Sequence, residues 1–130
     1  MTQTSYTILI VEDNALNLEL ATDLLTAAGY SIREARTGEE GVRVASEAAP
    51  DLILMDLRLP GMDGFAALRQ LKDNPRTERI PVVALTAQAM RGDQDAVLAA
   101  GFDDYISKPI NTSTFYKTVA RLLRATKGRL

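Results

Sequence analysis

The 130-residue chain contains neither cysteine nor histidine. Without cysteine there is no disulfide framework, no thiolate zinc site and no cysteine nucleophile. Without histidine the commonest metal ligand and the commonest acid–base side chain are missing, and with them any phosphohistidine relay inside the chain. A strong charge of one sign is lacking too. The formal net charge is −2 and the pI about 5.1, which argues against a nucleic-acid binder relying on bulk electrostatics. No stretch approaches the ~20 apolar residues that span a bilayer. Met1 to Tyr6 lack the basic and apolar regions of a signal peptide, so a cytoplasmic protein without membrane contact is expected. What is present is 46% hydrophobic content. A domain of this length buries roughly two-thirds of its unfolded surface. One domain over 1–130 is expected, with its core in 7–125 and flexible ends at 1–6 and 126–130.

Five short apolar runs alternate with five longer segments of helical period, the βα alternation of a doubly wound α/β fold. The strands are predicted at Thr7–Glu12, Ser31–Ala35, Leu52–Asp56, Pro81–Thr86 and Asp104–Ser107. The first, third and fourth are continuously apolar, as strands covered on both faces should be; the second is more polar and belongs at an edge. The first helix is expected over Ala15–Ala28, with Leu16, Leu20 and Leu24 as its apolar stripe and Gly29 as its stop. Thr37 and Glu40 form a candidate capping box for the second helix, which Pro50 closes. Asp63 is the candidate cap of the third, whose inner stripe is Phe65, Leu68 and Leu71. The fourth is expected over Gln88–Ala100 and the fifth over Ser113–Ala125, followed by a frayed basic tail from Thr126.

Four of the five apolar runs end in residues able to do chemistry. Ile8–Val11 lead to Glu12 and Asp13, Leu52–Met55 to Asp56, Val82–Leu85 to Thr86, and Tyr105–Ser107 to Lys108 and Pro109. If the strand order is 2-1-3-4-5, strands one and three flank the crevice at the carboxyl ends of the sheet, and the three acids converge there. Two like charges about 4 Å apart repel by ~4 kcal/mol at an effective dielectric near 20, so the cluster calls for a cation. Oxygen ligands alone favour Mg²⁺. Asp13 or Asn14 also suits a helix cap, Thr86 a plain β-branched strand residue and Lys108 a solvated surface. Asp56 has no such role, because Leu57–Gly61 is loop and an unpaired buried carboxylate is costly. With metal and ammonium beside it, such a carboxylate can become an aspartyl-phosphate. Lys108-Pro109 is a candidate cis peptide, with trans the default.

These segments, together with Leu59-Pro60-Gly61-Met62-Asp63-Gly64 and Ala84-Leu85-Thr86-Ala87, resemble the receiver (response regulator) domains of bacterial two-component signalling, from Thr7 to Leu123. The resemblance implies a flavodoxin-like (βα)5 fold with a five-stranded parallel sheet of order 2-1-3-4-5, and a non-enzymatic switch. It implies that Asp56 accepts a phosphoryl group from a histidine of a histidine kinase or histidine phosphotransfer protein. Glu12, Asp13, Asp56 and the backbone carbonyl of Arg58 would hold Mg²⁺, with Mn²⁺ as the substitute. Lys108 would contact the phosphoryl oxygens, Thr86 would move toward them, and Tyr105 would turn inward behind it. The changed surface of helix four, strand five and helix five, with Met90, Ala99, Tyr105 and Thr118 as candidates, would then act on a downstream protein. Asn14, Asn17 and Leu18 are candidates for donor docking. Arg58 and Gln88 stand where family members tune the phosphoryl lifetime. Met90-Arg91-Gly92-Asp93 and the short tail resemble the stand-alone cell-division regulators, working as a monomer or weak homodimer without nucleic acid. The stretch also resembles receivers of hybrid kinases. An aspartate-nucleophile phosphatase would want a second Asp where Arg58 stands, and a flavin binder a phosphate loop where Glu12 and Asp13 stand.

Overall fold

Five parallel strands form one sheet in the order β2-β1-β3-β4-β5: β1 (Thr7–Val11), β2 (Ser31–Ala35), β3 (Leu52–Asp56), β4 (Val82–Thr86) and β5 (Asp104–Ser107). The computed structural model describes residues 6–87 and 91–128. The order is the expected one, with the polar strand β2 at an edge. Along the strands, odd and even residues enter different cores, because successive side chains point to opposite faces. Ile8, Ile10, Leu52 and Leu54 pack with α1 (Ala15–Ala27) and α5 (Thr112–Gly128). Leu9, Val11, Ile53 and Met55 pack with α2 (Gly38–Ala48), α3 (Gly64–Lys72) and α4 (Arg91–Ala100). The connections after β1 and β3 therefore leave for opposite faces. A crevice opens between those strands at their carboxyl ends, by a rule framed partly on receiver proteins.

Local chemistry sets the helix ends. Asn14, not Asp13, caps α1, its side chain accepting from Asn17 N at 3.0 Å. Thr37 Oγ1 accepts from Glu40 N at 3.0 Å, while Glu40 reaches back to Arg36 N at 2.8 Å, one residue earlier than a strict capping box. Asp63 caps α3 through Ala66 N at 2.9 Å. The Lys108–Pro109 peptide is cis. At the far end of the sheet two aspartates close strand starts. Asp51 Oδ2 accepts from Thr7 N and Asp103 Oδ2 from Val82 N, each at 2.8 Å. Their own backbone N–H groups donate back to the carbonyls of Thr7 and Val82.

The α1 stripe differs from expectation. Leu16 is 76% exposed and Leu20 44%, whereas Leu18, Ala21 and Leu25 face the sheet. Both sets fit a helical period; the inner one follows i, i+3, i+7 and fixes the rotation of the helix. Leu18 is thus a core residue and not part of a docking surface. Thr118 is likewise buried on α5, while Ala99 is exposed on α4. Helix α5 continues to Gly128, through the start of the expected tail. The expected flexibility of 1–5 and 129–130, and the sites at Gln88 and Met90, lie outside the described residues.

Candidate functional site

Strand register builds the site as a staircase. Val11 pairs with Met55, so the residues that follow, Glu12 and Asp56, emerge side by side. Asp56 pairs with Leu85, which places Thr86 one step beyond it, and Thr86 pairs with Ser107, which places Lys108 one step further. Lys108 N donates to the Thr86 carbonyl at 2.8 Å and fixes this last step. Residues separated by up to 96 positions in the chain thereby share one rim.

Two carboxylates of the cluster are buried, Glu12 at 1% exposure and Asp56 at 4%, and Asp13 is exposed. Lys108 Nζ lies 2.7 Å from Glu12 Oε1 and 3.1 Å from Asp56 Oδ2. The remaining carboxylate oxygens meet backbone donors: Asn14 N reaches Glu12 Oε2 at 3.2 Å and Arg58 N reaches Asp56 Oδ1 at 3.0 Å. Glu12 Oε1 accepts no hydrogen bond of good geometry among the described residues, so its contact with Lys108 is one of charge rather than of direction. Burial pushes the Glu12 carboxyl up to about 7, with the neighbouring Asp56 adding to the shift and Lys108 opposing it. For Lys108 burial acts downward, but the close contact with Glu12 and the charges of Asp56 and Glu12 outweigh it and raise the ammonium.

Glu12, Asp13 and Asp56 each offer an oxygen, and these atoms lie within 4.8 Å of one another. The buried Glu12 Oε1, without a directed donor, and the all-oxygen set fit a hard divalent cation. Asp56, Arg58, Thr86 and Lys108 also line one cavity of about 270 Å³, which Phe65 and Val97 extend as an apolar wall. The expected acids, Thr86, Lys108 and Arg58 are therefore brought together. Tyr105 is not; it is half-buried on β5 and lines a separate cavity with Pro109 and Thr114. Sequence reasoning missed the backbone donors of Asn14 and Arg58, whose side chains carry no signal of them. It also missed Lys108 contacting two acids at once.

Residues 8–120 match the response regulator receiver domain. The polar-differentiation response regulator DivK of Brucella ovis is 44% identical over 116 residues, covering 89% of this chain and 94% of DivK. The receiver domain of the sensor histidine kinase PA1611 of Pseudomonas aeruginosa, crystallised with a magnesium ion in its active-site cleft, is 36% identical. It superposes with a TM-score of 0.85 over 92% of this chain and 98% of its own. The chemotaxis response regulator CheY4 of Vibrio cholerae is 27% identical, with a TM-score of 0.86 over 92% and 99% of the two chains. With one description matching all five strands and relatives this alike over nearly their whole length, the chain belongs to the response regulator receiver domain family.

Proposed function

We propose that Asp56 accepts a phosphoryl group from a phosphohistidine of a histidine kinase or histidine phosphotransfer protein. Receiver domains are phosphorylation-activated signalling switches of two-component systems rather than enzymes in the ordinary sense. The observation that carries the assignment is the Lys108 ammonium lying between two buried carboxylates, 2.7 and 3.1 Å away, where Lys108 and Asp56 line one cavity. In the transfer the donor N–P bond breaks as an Asp56 oxygen bonds to phosphorus. The electron pair returns to the imidazole nitrogen, which takes a proton from solvent. Glu12, Asp13, Asp56 and the Arg58 carbonyl would hold Mg²⁺, with Mn²⁺ as the alternative ion. Such an ion supplies neutralisation of the transferring oxygens. Lys108 then leaves Glu12 and stays with the phosphoryl oxygens, and Arg58 N keeps the free oxygen of Asp56 in place.

A hydrogen bond from Thr86 to the charged phosphoryl group, worth about 1.5–3 kcal/mol, shifts a two-state ratio roughly 10- to 150-fold. Tyr105 and the α4–β5–α5 surface carry that shift to a downstream protein. The exposed pair Leu16 and Leu20, beside Asn14 and Asn17, is the better candidate for donor docking now that Leu18 lies in the core. No helix of the described residues is long and apolar enough to cross a membrane. Action in the cytoplasm as one domain over 1–130, monomeric or weakly dimeric, belongs to the same proposal.

The test is incubation with Mg²⁺ and a small acyl phosphate, followed by intact-mass measurement. One labile phosphoryl group mapping to Asp56, absent in Asp56→Asn, is the expected result. Labelling that persists in Asp56→Asn, or steady turnover of phosphate esters, would overturn the assignment.

A further inference from the structure

Two glycines, Gly38 and Gly41, stand in the first four residues of α2, although glycine is among the poorest helix formers. Both are buried, and residues three apart share one helix face. A Cβ at Gly38 would lie 2.6 Å from the backbone carbonyl oxygen of Met62 and 3.2 Å from its Cβ. A Cβ at Gly41 would lie 2.7 and 3.0 Å from the two methyl carbons of Val11. Those two neighbours belong to different halves of the site. Val11 is the last residue of β1 and leads directly into Glu12 and Asp13, whereas Met62 lies in the loop between β3 and α3 that begins with Leu57 and Arg58. Neither contact can yield easily. The start of α2 is held by the bonds of Thr37 and Glu40, the group met at Met62 is backbone, and Val11 is a fully buried β-branched residue with little rotamer freedom. The loop is closed on itself as well, Gly64 N donating to the Leu57 carbonyl at 3.1 Å.

We propose that Gly38 and Gly41 are positioning residues: the bare face of α2 sets the spacing between the end of β1, with Glu12 and Asp13, and the loop that carries Arg58. The inference deepens the proposed function and rests on its metal assignment. With alanine at Gly38, the helix or the loop must open the 2.6 Å separation to at least 3.4 Å for ordinary contact. A displacement of that size matters unequally to different ions. Mg²⁺ demands near-octahedral ligands at about 2.0–2.1 Å, while Ca²⁺ accepts a looser set at about 2.3–2.6 Å. A plain loss of stability does not discriminate between the two.

The test is titration of the full chain and its Gly38→Ala and Gly41→Ala variants with Mg²⁺ and, separately, with Ca²⁺, followed by backbone amide shifts. Thr77→Val serves as a control that loses stability away from the site. Each alanine should weaken Mg²⁺ binding about tenfold, the low end of what losing an outer support of a metal site costs. Ca²⁺ should weaken by only about two- to threefold, because its larger shell tolerates the shift. The Mg²⁺/Ca²⁺ preference therefore falls in both variants and stays unchanged in Thr77→Val. In metal-free Gly38→Ala the same displacement should quicken exchange of the Arg58 amide, which donates to Asp56 Oδ1 at 3.0 Å, beyond any change at the buried Ile53 amide. If one alanine variant does not fold, the other decides, since each meets a different half of the site. A parent chain that binds Mg²⁺ while the variants keep its ion preference would overturn the inference and leave the metal assignment standing. A control that loses the preference alike would overturn it too, and a parent that binds neither ion would remove both.

Discussion

Replacing Lys108 by methionine tests the electrostatics of the site most directly. The side chain keeps its length and apolar stem but loses the ammonium that faces Glu12 Oε1 and Asp56 Oδ2. At an effective dielectric near 20, a charge 2.7 or 3.1 Å from its partner gains about 5–6 kcal/mol in gross attraction. Most of that is offset by desolvation, and removing one member of a buried pair costs about 3–5 kcal/mol net. Glu12 can escape part of the cost by taking up a proton, at about 1.4 kcal/mol for each pH unit between its raised pKa and the solution. The metal-free variant should therefore lose about 3 kcal/mol at pH 8, roughly 10 °C in Tm for a domain of this size. Near pH 5.5, where Glu12 is already largely protonated in the parent protein, the deficit should shrink. It should shrink again in saturating Mg²⁺, because under the proposed assignment a bound cation would take over the same oxygens. Magnesium affinity should rise severalfold in the variant, since no internal cation has to be displaced. Urea unfolding at the two pH values, with and without Mg²⁺, measures all three effects. A metal-free variant as stable as the parent at pH 8, or a deficit unchanged by Mg²⁺, would refute the reasoning.

The raised Glu12 pKa has its own consequence. The folded protein binds more protons than the unfolded one between about 4.5 and about 7, so metal-free stability should be greatest at the acid end of that window and fall as pH rises through it; a stability curve rising across the window would show the opposite sign. Magnesium should reverse this by holding Glu12 ionised, so calorimetry in buffers of different ionisation enthalpy should find up to one proton released per ion at pH 6 and almost none at pH 8. Thr77→Val removes a buried hydroxyl that donates to the Leu71 carbonyl at 2.6 Å; chemical denaturation should register a loss of about 1–2 kcal/mol while Asp56 labelling stays intact. Gly64→Ala would place a Cβ 2.5 Å from the Asp56 carbonyl oxygen and 2.9 Å from Leu57 Cα. Backbone at Asp56, the proposed acceptor, must then move, and both stability and the rate of Asp56 labelling should fall.

Much of this molecule was legible in its residues because two periodicities were sharp. Buried strands read as unbroken apolar runs, and the residue that breaks each run, Glu12, Asp56, Thr86 or Lys108, falls at the carboxyl edge where parallel strands present their ends. Helix α1 was misread because leucine is plentiful on it. Leu16, Leu20 and Leu24 make as good a stripe as Leu18, Ala21 and Leu25, and only packing decides between them. The details of the site were not legible for a different reason: the donors to Glu12 and Asp56 are main-chain groups of Asn14 and Arg58, which any residue could supply.

Neighbouring acids also behave differently although the sequence writes them as a pair. Glu12 follows the last residue of β1 and keeps a strand hydrogen bond to the Ala35 carbonyl at 3.0 Å, which holds it under the crevice. Asp13, one residue on, has left the ladder and faces water. Under the proposed metal assignment, a cation held by all three acids would have one hydrated ligand, Asp13, and two buried ones. Asp13→Asn should accordingly weaken magnesium binding, because it removes the one hydrated carboxylate of the three. Glu12→Gln should flatten the metal-free pH–stability curve. Stopped-flow metal binding and pH-dependent unfolding on the two variants separate the roles. If magnesium bound Asp13→Asn as fast and as tightly as the parent protein, or the curve of Glu12→Gln kept its slope, the division of labour between the two acids would be wrong.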